Sequence, residues 1–254
     1  MVEMRNVIIT GAAGGMGSAT LAQLVDREVN VVAVDLDQAA VQGVIDGLGS
    51  TRGEFIAVGA DVSDEQAVKG FIQLAVDRWG GLDGLFNIAG IEGEVAPMID
   101  QTVENFDRLV AVNARSVFLG MVHALPHLRN RGGGAIVSTG SYLAVRGFHA
   151  CGPYGGSKHA VVGLTKTLAV EEGVNNIRAN VVCPGSMETQ MITKLYPVLA
   201  DTDEESIAIL TERIPDGRMA QPEELAQAGL WFLLDAPTHI NGQVLMVDGA
   251  QAAN

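Results

Sequence analysis

A rhythm constrains this chain more than any single residue does. Short runs of β-branched and apolar residues alternate with longer amphipathic stretches along all 254 residues. The runs at 7–10, 29–34, 54–58, 85–88, 135–139, 177–183 and 244–247 read as strands. Most are continuously apolar, as strands covered on both faces are. Helical spacing fills 16–27, 37–48, 64–79, 103–130, 154–173 and 222–234 between them. Strand–helix alternation over the whole length predicts an α/β fold, a doubly wound parallel sheet of about seven strands with helices on both faces. Right-handed crossovers then bring the strand ends to one edge, where ligands bind. No linker, low-complexity run or charge block divides the chain, so 1–254 reads as one domain. Only 186–215 breaks the rhythm. It is long, mixed in character and contains Pro197, and it reads as a mobile substrate flap.

Charge and cysteine content exclude several functions. The net charge of −14, with no Lys/Arg cluster, disfavours nucleic acid and anionic membrane surfaces as partners. No apolar stretch reaches the roughly 20 residues that span a bilayer. Cys151 and Cys183 are the only cysteines, too few for a disulfide framework and without metal-ligand spacing, so no metal is expected. With no signal peptide visible, a reduced cytoplasmic setting follows.

The first strand runs into T-G-x-x-x-G-x-G at residues 10–17, and a helix follows. Gly11, Gly15 and Gly17 let the chain turn tightly and let backbone approach a pyrophosphate, which the helix N-terminus at Met16 receives. A glycine turn that merely tightens a strand–helix junction would look the same. The second strand ends at Asp35, eighteen residues after Gly17, where a carboxylate accepts from adenosine ribose hydroxyls and repels a 2′-phosphate. Asp37 adds to that repulsion, and no Arg or Lys stands in the glycine turn or just after Asp35. The cofactor expected is NAD. Asp61 and Val62, ending the third strand, are placed to flank adenine, although a helix N-cap explains Asp61 equally well.

Tyr154 and Lys158 stand four apart, on one face of any helix that contains them, and Ser141 lies thirteen residues upstream of Tyr154. A free phenol has a pKa of about 10, and an adjacent ammonium lowers it toward working range. Phenol, ammonium and a serine that holds a substrate oxygen move a proton on or off an alcohol or carbonyl. A Tyr/Lys pair at this spacing is also common on ordinary helices.

Taken together, the glycine turn, Ser141, Y-x-x-x-K at 154–158, Pro184-Gly185 and the ending Asn241-Gly242-Gln243-Val244-Leu245-Met246-Val247-Asp248-Gly249 resemble the short-chain dehydrogenase/reductase family, in its branch of about 250 residues. The resemblance implies a Rossmann-type fold. It implies Tyr154 as acid/base, Lys158 as the residue that lowers its pKa and binds nicotinamide ribose, and Ser141 as the group orienting the substrate oxygen. Asn113 would hold a water in a proton relay; a polar residue bending a core helix is the alternative. Met187 backbone and the Thr189 hydroxyl, after Pro184 and Gly185, would grip the carboxamide. Two departures stand out. The usual N-N-A-G is Asn87-Ile88-Ala89-Gly90, which removes a side chain tying the central sheet, while Asn87, Ala89 and Gly90 keep their cofactor positions. The usual Ser-Ser is Gly140-Ser141.

Apolar loop residues, among them Leu143, Met191 and Leu195, are expected to line the substrate pocket, with Glu92, His149 and Cys151 also in reach of substrate. A solvated loop histidine explains His149 as well. The function that follows is NAD(H)-dependent interconversion of a secondary alcohol and a ketone, on a weakly apolar or aromatic small molecule. The rivals are a 3-oxoacyl-carrier-protein reductase and a non-catalytic NAD-binding sensor or scaffold. Family members are usually dimers or tetramers. Small residues on the helix at 154–173 (Gly155, Gly156, Ala160, Gly163) fit a homo-oligomer, and packing against its own sheet would explain them too.

Overall fold

A computed structural model describes residues 4–253. In chain order the elements are β1 Arg5–Thr10, α1 Gly15–Ala22, β2 Val29–Asp35, α2 Gln38–Gly47, β3 Phe55–Gly59, α3 Glu65–Trp79, β4 Gly84–Asn87, α4 Val103–Leu109, α5 Ser116–Arg131, β5 Gly134–Thr139, α6 Gly152–Glu172, β6 Ile177–Pro184, α7 Tyr196–Leu199, α8 Asp203–Glu212, α9 Pro222–Leu230 and β7 Val244–Val247. All seven expected strands form, in the order β3-β2-β1-β4-β5-β6-β7. Every pairing is parallel. The order reverses between β1 and β4, and that switch point opens the crevice used by ligands in such sheets.

One apolar core lies on each face, which explains why the strands read as unbroken hydrophobic runs. Phe71, Ile72, Val117, Met121, Val161 and Leu168 cover one side. Leu21, Leu24, Val41, Leu225, Leu230 and Phe232 cover the other. The register sets the C-terminal rim: Thr10 lies beside Val34 and Asn87, Asn87 beside Ser138, and Thr139 beside Val182.

Three helices differ from expectation; the one expected at 222–234 is α-helical only to Leu230, and a π-helical segment over Trp231–Asp235 follows. α1 ends at Ala22, five residues before the predicted end, because Leu24, still fully buried, is carried in a tight turn toward β2. The stretch 103–130 forms as a helix, but a π-helical segment over Val110–Arg115 interrupts it. Together α4, that segment and α5 make 29 continuous residues, Val103–Arg131, long and apolar enough by length and composition to cross a membrane, contrary to the sequence expectation of none. Half of its most apolar window is buried inside the molecule, which marks it as a core helix.

The irregular segment 186–215 is mostly helical. A 3-10 turn over Ile192–Leu195 leads into α7 and α8, and Tyr196, Leu210, Ile214 and Met219 give it a small core of its own. Leu195, Ile192 and Leu199 pack onto Leu143 and Cys151, so the segment caps the end of the sheet. Its sequence looked mixed because its apolar side chains serve two small clusters and not one long helical stripe.

Candidate active site

At the switch point the glycine turn of β1 meets the loop after β4. Gly11 has φ of +70°, and a Cβ there would stand 2.7 Å from the Ala89 nitrogen. A Cβ on Gly17 would stand 2.0 Å from the Gly11 carbonyl. Both positions exclude any side chain, and the close approach leaves backbone bare at the start of α1. That first turn holds no acidic residue, and no side chain caps it. A cradle of this kind fits a pyrophosphate on a helix N-terminus. Gly15 faces the loop after β6: a Cβ would lie 3.2 Å from the Thr189 methyl. Met16 is buried, its sulfur 3.9 Å from the Thr139 hydroxyl.

Asp35 ends β2 at the rim. Its carboxylate accepts from the Ala13 nitrogen at 3.0 Å and the Leu36 nitrogen at 2.8 Å, so it braces the glycine turn as well as facing the crevice. Asp61 is exposed and accepts from the Ser63 nitrogen and hydroxyl, both at 2.8 Å, beside buried Val62. The N-cap of α3 is Asp64, not Asp61.

Across the crevice, Asn87 is buried and donates to the Ser138 hydroxyl at 3.4 Å, tying β4 to β5. The tie threatened by Ile88 is supplied from β1: the Thr10 hydroxyl accepts from the Ile88 nitrogen at 3.1 Å and from Ala89 at 3.2 Å. Gly140 has a packing cause. A Cβ there would lie 2.5 Å from the Cys183 sulfur, so a serine has no room.

Ser141 follows β5 and is buried, its hydroxyl accepting from the Leu143 nitrogen at 3.1 Å. Tyr154 lies in the first turn of α6, and its side chain and that of Ser141 line the same cavity. Lys158, one turn on, is 4% exposed and donates to the Thr139 carbonyl at 2.9 Å. Its ammonium is 5.9 Å from the Tyr154 ring centroid. The sequence anticipated a phenol lowered by this cation. The structure has the opposite direction: burial pushes Tyr154 above its ordinary value, Glu92, Cys151 and Tyr142 add to that, and only the neighbouring Ser141 hydroxyl pulls downward. Burial likewise pushes Lys158 down to about 8. Both charged forms lose hydration here, and that loss exceeds their mutual help.

Asn113 sits in the π segment, fully buried. Such segments are rare and concentrate at functional sites. Its Oδ1 accepts from the Ile91 nitrogen and its Nδ2 donates to the Ile91 carbonyl, both at 2.8 Å; Nδ2 also reaches the Ser157 hydroxyl at 3.1 Å. Asn113 Oδ1 and Lys158 Nζ stand 3.2 and 3.3 Å from the point where a Gly90 Cβ would be. Asn113 therefore anchors the loop beside Lys158.

The loop Pro184, Gly185, Ser186, Met187 is pinned by residues the sequence reading missed. A Cβ on Gly185 would touch Asp248 at 2.7 Å. Gln251 accepts from the Ser186 nitrogen at 3.0 Å and donates to its hydroxyl at 3.2 Å. Arg146 in turn donates to the Gln251 carbonyl at 2.8 Å. Nothing periodic marks Gln251, because it acts across 65 residues.

A cavity at this rim is lined by Ser141, Tyr154, Glu92, Cys151, Met187 and Thr189, with Leu143, Met191 and Leu195 among its apolar walls. Phe148 and Tyr142 line it as well, whereas His149 is exposed and lies outside it. Ala150, next in the chain, has φ of +64°. A larger cavity of about 400 Å³ opens at the opposite ends of the strands, between Arg5, Asp83 and Arg178, and none of the motif residues reaches it. Among the described residues no group of His, Cys, Asp and Glu is arranged to hold a metal.

Glu92 is 7% exposed, and burial pushes its carboxyl up to about 7, with Lys194 pulling weakly the other way. Between its ordinary 4.5 and about 7 the folded chain keeps a proton that the unfolded chain has released. Stability therefore falls as pH rises through that window, and the full cost is present above it. Glu92→Gln is expected to raise unfolding free energy near pH 8 by about 2–3 kcal/mol and to converge with the parent near pH 4.5. Urea unfolding at the two pH values measures this, and equal stability near pH 8 would refute it.

A nucleotide cradle at the switch point of a parallel sheet, facing a Ser/Tyr/Lys cluster beside an apolar cavity, defines a dinucleotide-dependent oxidoreductase. The chain belongs to the short-chain dehydrogenase/reductase family. The family profile described as Enoyl-(Acyl carrier protein) reductase matches residues 11–250. Levodione reductase from Leifsonia aquatica is 34% identical over 252 residues, covering 98% of this chain and 94% of that protein. The crystal structure of levodione reductase superposes with a TM-score of 0.94 at 32% identity, covering 100% of this chain and 99% of the other. Cyclohexanol dehydrogenase from Acinetobacter sp. (strain SE19) is 35% identical over 243 residues, 96% of this chain and 93% of that one. The structure of ElxO with NADP bound matches with a TM-score of 0.89 and 27% identity, over 99% of this chain and 100% of that chain. The protein is thus an alcohol dehydrogenase or ketoreductase of this family, which uses a nicotinamide cofactor.

Proposed function

We propose that this enzyme interconverts a secondary alcohol and a ketone on a weakly apolar small molecule, with NAD(H) as cofactor. The observation that carries this reading is the placement of Ser141 and Tyr154 together on the wall of an otherwise largely apolar cavity, with Lys158 behind them. Two of the relatives, a cyclohexanol dehydrogenase and a levodione reductase, point the same way.

When bound, the nicotinamide supplies the hydride donor or acceptor. The protein supplies the rest. Ser141 holds the substrate oxygen. Tyr154 gives that oxygen a proton in reduction and takes one in oxidation. Burial keeps the phenol protonated, which is the donating form. Lys158, with its pKa near 8, still carries its charge at neutral pH and is the cation placed to favour the phenolate. Asn113 holds Ile91 and with it the loop Asn87, Ala89, Gly90 against the crevice. Gly11, Gly15, Met16 and Gly17 receive the pyrophosphate, Asp35 the adenosine ribose, and Asp61 and Val62 flank adenine. Pro184, Gly185, Met187 and Thr189 take the carboxamide side. Leu143, Cys151 and Met191 contact substrate beneath the 186–215 cap, which opens to admit it.

We also read the protein as a homo-oligomer working in a reduced, cytoplasmic setting. Gly156 and Gly163 of α6 face open space, and Phe106, Phe118 and Val122 leave apolar surface exposed on α4 and α5. Cys151 and Cys183 are free and buried.

Initial rates across a panel of secondary alcohols with NAD, followed by absorbance of the reduced cofactor, test the reading. Turnover is expected for cyclic or aryl-substituted secondary alcohols. Absence of turnover across such alcohols and the matching ketones would refute it. The carrier-protein reductase reading gains nothing from the surface, since an acidic carrier would meet a chain of net charge −14.

A further inference from the structure

Glu92 is a carboxyl in the cavity that the proton-transfer chemistry leaves unused. Its Oε2 is enclosed and has no hydrogen-bond partner among the described residues. A buried polar atom left unpaired costs stability, and native structures keep such atoms mainly where function needs them. The position is also held firmly. Ile91, just before it, is clamped at both its nitrogen and its carbonyl by Asn113. Gly93, just after it, has φ of +76°, and a Cβ there would strike Leu109 at 2.6 Å; the Glu94 nitrogen is then held by Asn105 at 3.0 Å. The backbone on either side is fixed, so Glu92 faces the cavity by construction. The cavity walls include apolar Leu143, Phe148, Met187 and Leu195; Tyr142, Cys151 and Tyr154 stand close enough for Glu92 to act on them electrostatically, but none of them bonds to Oε2. Lys194, on the cap, acts on it through space without forming an ion pair.

We propose that Glu92 is a second substrate anchor, and that this site takes a substrate with two oxygens: the carbonyl or carbinol that reacts at Tyr154, and a separate hydroxyl that bonds to the Glu92 carboxyl. This rests on the oxidoreductase reading above and adds the substrate class. A hydroxyl suits the position better than a second carbonyl. It donates to a carboxylate and accepts from a carboxylic acid, so the bond survives either state of Glu92, whereas a carbonyl serves only the acid. A substrate lacking the hydroxyl leaves the carboxyl unpaired in a dry pocket. Sites built to bond a hydroxyl discriminate strongly against analogues without one.

The test compares kcat/KM for cyclohexanone with kcat/KM for 2-, 3- and 4-hydroxycyclohexanone, in the parent enzyme and in Glu92→Leu and Glu92→Gln, with the reduced cofactor saturating. At least one hydroxyketone is expected to exceed cyclohexanone by about 10–100-fold in the parent. That ratio should collapse toward one in Glu92→Leu and largely survive in Glu92→Gln, whose amide still donates and accepts. Cyclohexane-1,4-dione should show the smaller preference. No preference in the parent, or one that persists undiminished in Glu92→Leu, overturns the proposal while leaving the dehydrogenase reading intact. If Glu92→Leu fails to fold, Glu92→Ala takes its place under the same criteria. Turnover of neither ketone nor hydroxyketone would overturn the dehydrogenase reading and this inference with it.

Discussion

Tyr154→Phe is expected to lower kcat by about 10²–10⁴-fold while changing cofactor affinity by no more than about threefold. The phenol lines the cavity together with Ser141, Met187 and Thr189. Removing its oxygen leaves a ring of nearly the same shape, so packing against Leu143 and Cys151 is preserved. Lys158, the nearest cation, is turned to the Thr139 carbonyl. Single-turnover rates at saturating cofactor, with a separate titration of cofactor binding, measure the two effects. A variant that retains parental turnover would remove Tyr154 from the chemistry. Loss of cofactor binding in proportion to the loss of rate would mean that the residue shapes the nucleotide site instead.

The second large effect concerns the choice between NAD and NADP. The enzyme is expected to prefer NAD by about 10²–10³-fold in kcat/KM, because a 2′-phosphate brought to the end of β2 meets the Asp35 carboxylate at short range. Two like charges about 4 Å apart repel by about 4 kcal/mol at a protein surface. Leu36 and Gln38 are the next positions, and neither offers a cation to offset this. Asp37 is occupied as the N-cap of α2, accepting from the Ala39 and Ala40 nitrogens, and its charge adds to the repulsion. Asp35→Asn removes the charge but keeps one of the two acceptors now used by the Ala13 and Leu36 nitrogens. The preference should fall to about tenfold or less, mostly through better use of NADP. Steady-state kinetics with both cofactors, alongside a thermal melt to check the glycine turn, decide this. A parent enzyme that prefers NADP would show that another group neutralises Asp35. ElxO, of the same fold, holds NADP, so the fold alone does not fix the choice.

These two residues show what could be read from the chain directly. β1 to β7 were legible because strands buried on both faces must be apolar throughout, and 29–34 or 177–183 have no other use for such runs. The glycine turn was legible because steric exclusion leaves only glycine at positions 11 and 17. The Tyr154–Lys158 spacing was legible because one helical turn fixes which side chains are neighbours. Each is a local constraint, and local constraints are written in adjacent residues.

What needed the folded chain were relations between distant segments and the balance of opposing forces on one group. Asn113 spends its amide on Ile91, Gln251 pins Ser186 from the far end of the chain, and Thr10 supplies the tie that Ile88 does not. His149 lies exposed outside the cavity while its neighbour Phe148 lines it. The direction of the Tyr154 shift depends on burial, which only packing determines, and packing reversed the sign that a neighbouring ammonium alone implies. Glu92 was visible in sequence as one acidic residue in a loop. That its carboxyl stands unpaired in the cavity follows from the walls around it, and those walls come from α6, β5, β6 and the cap, brought together only when the sheet is wound.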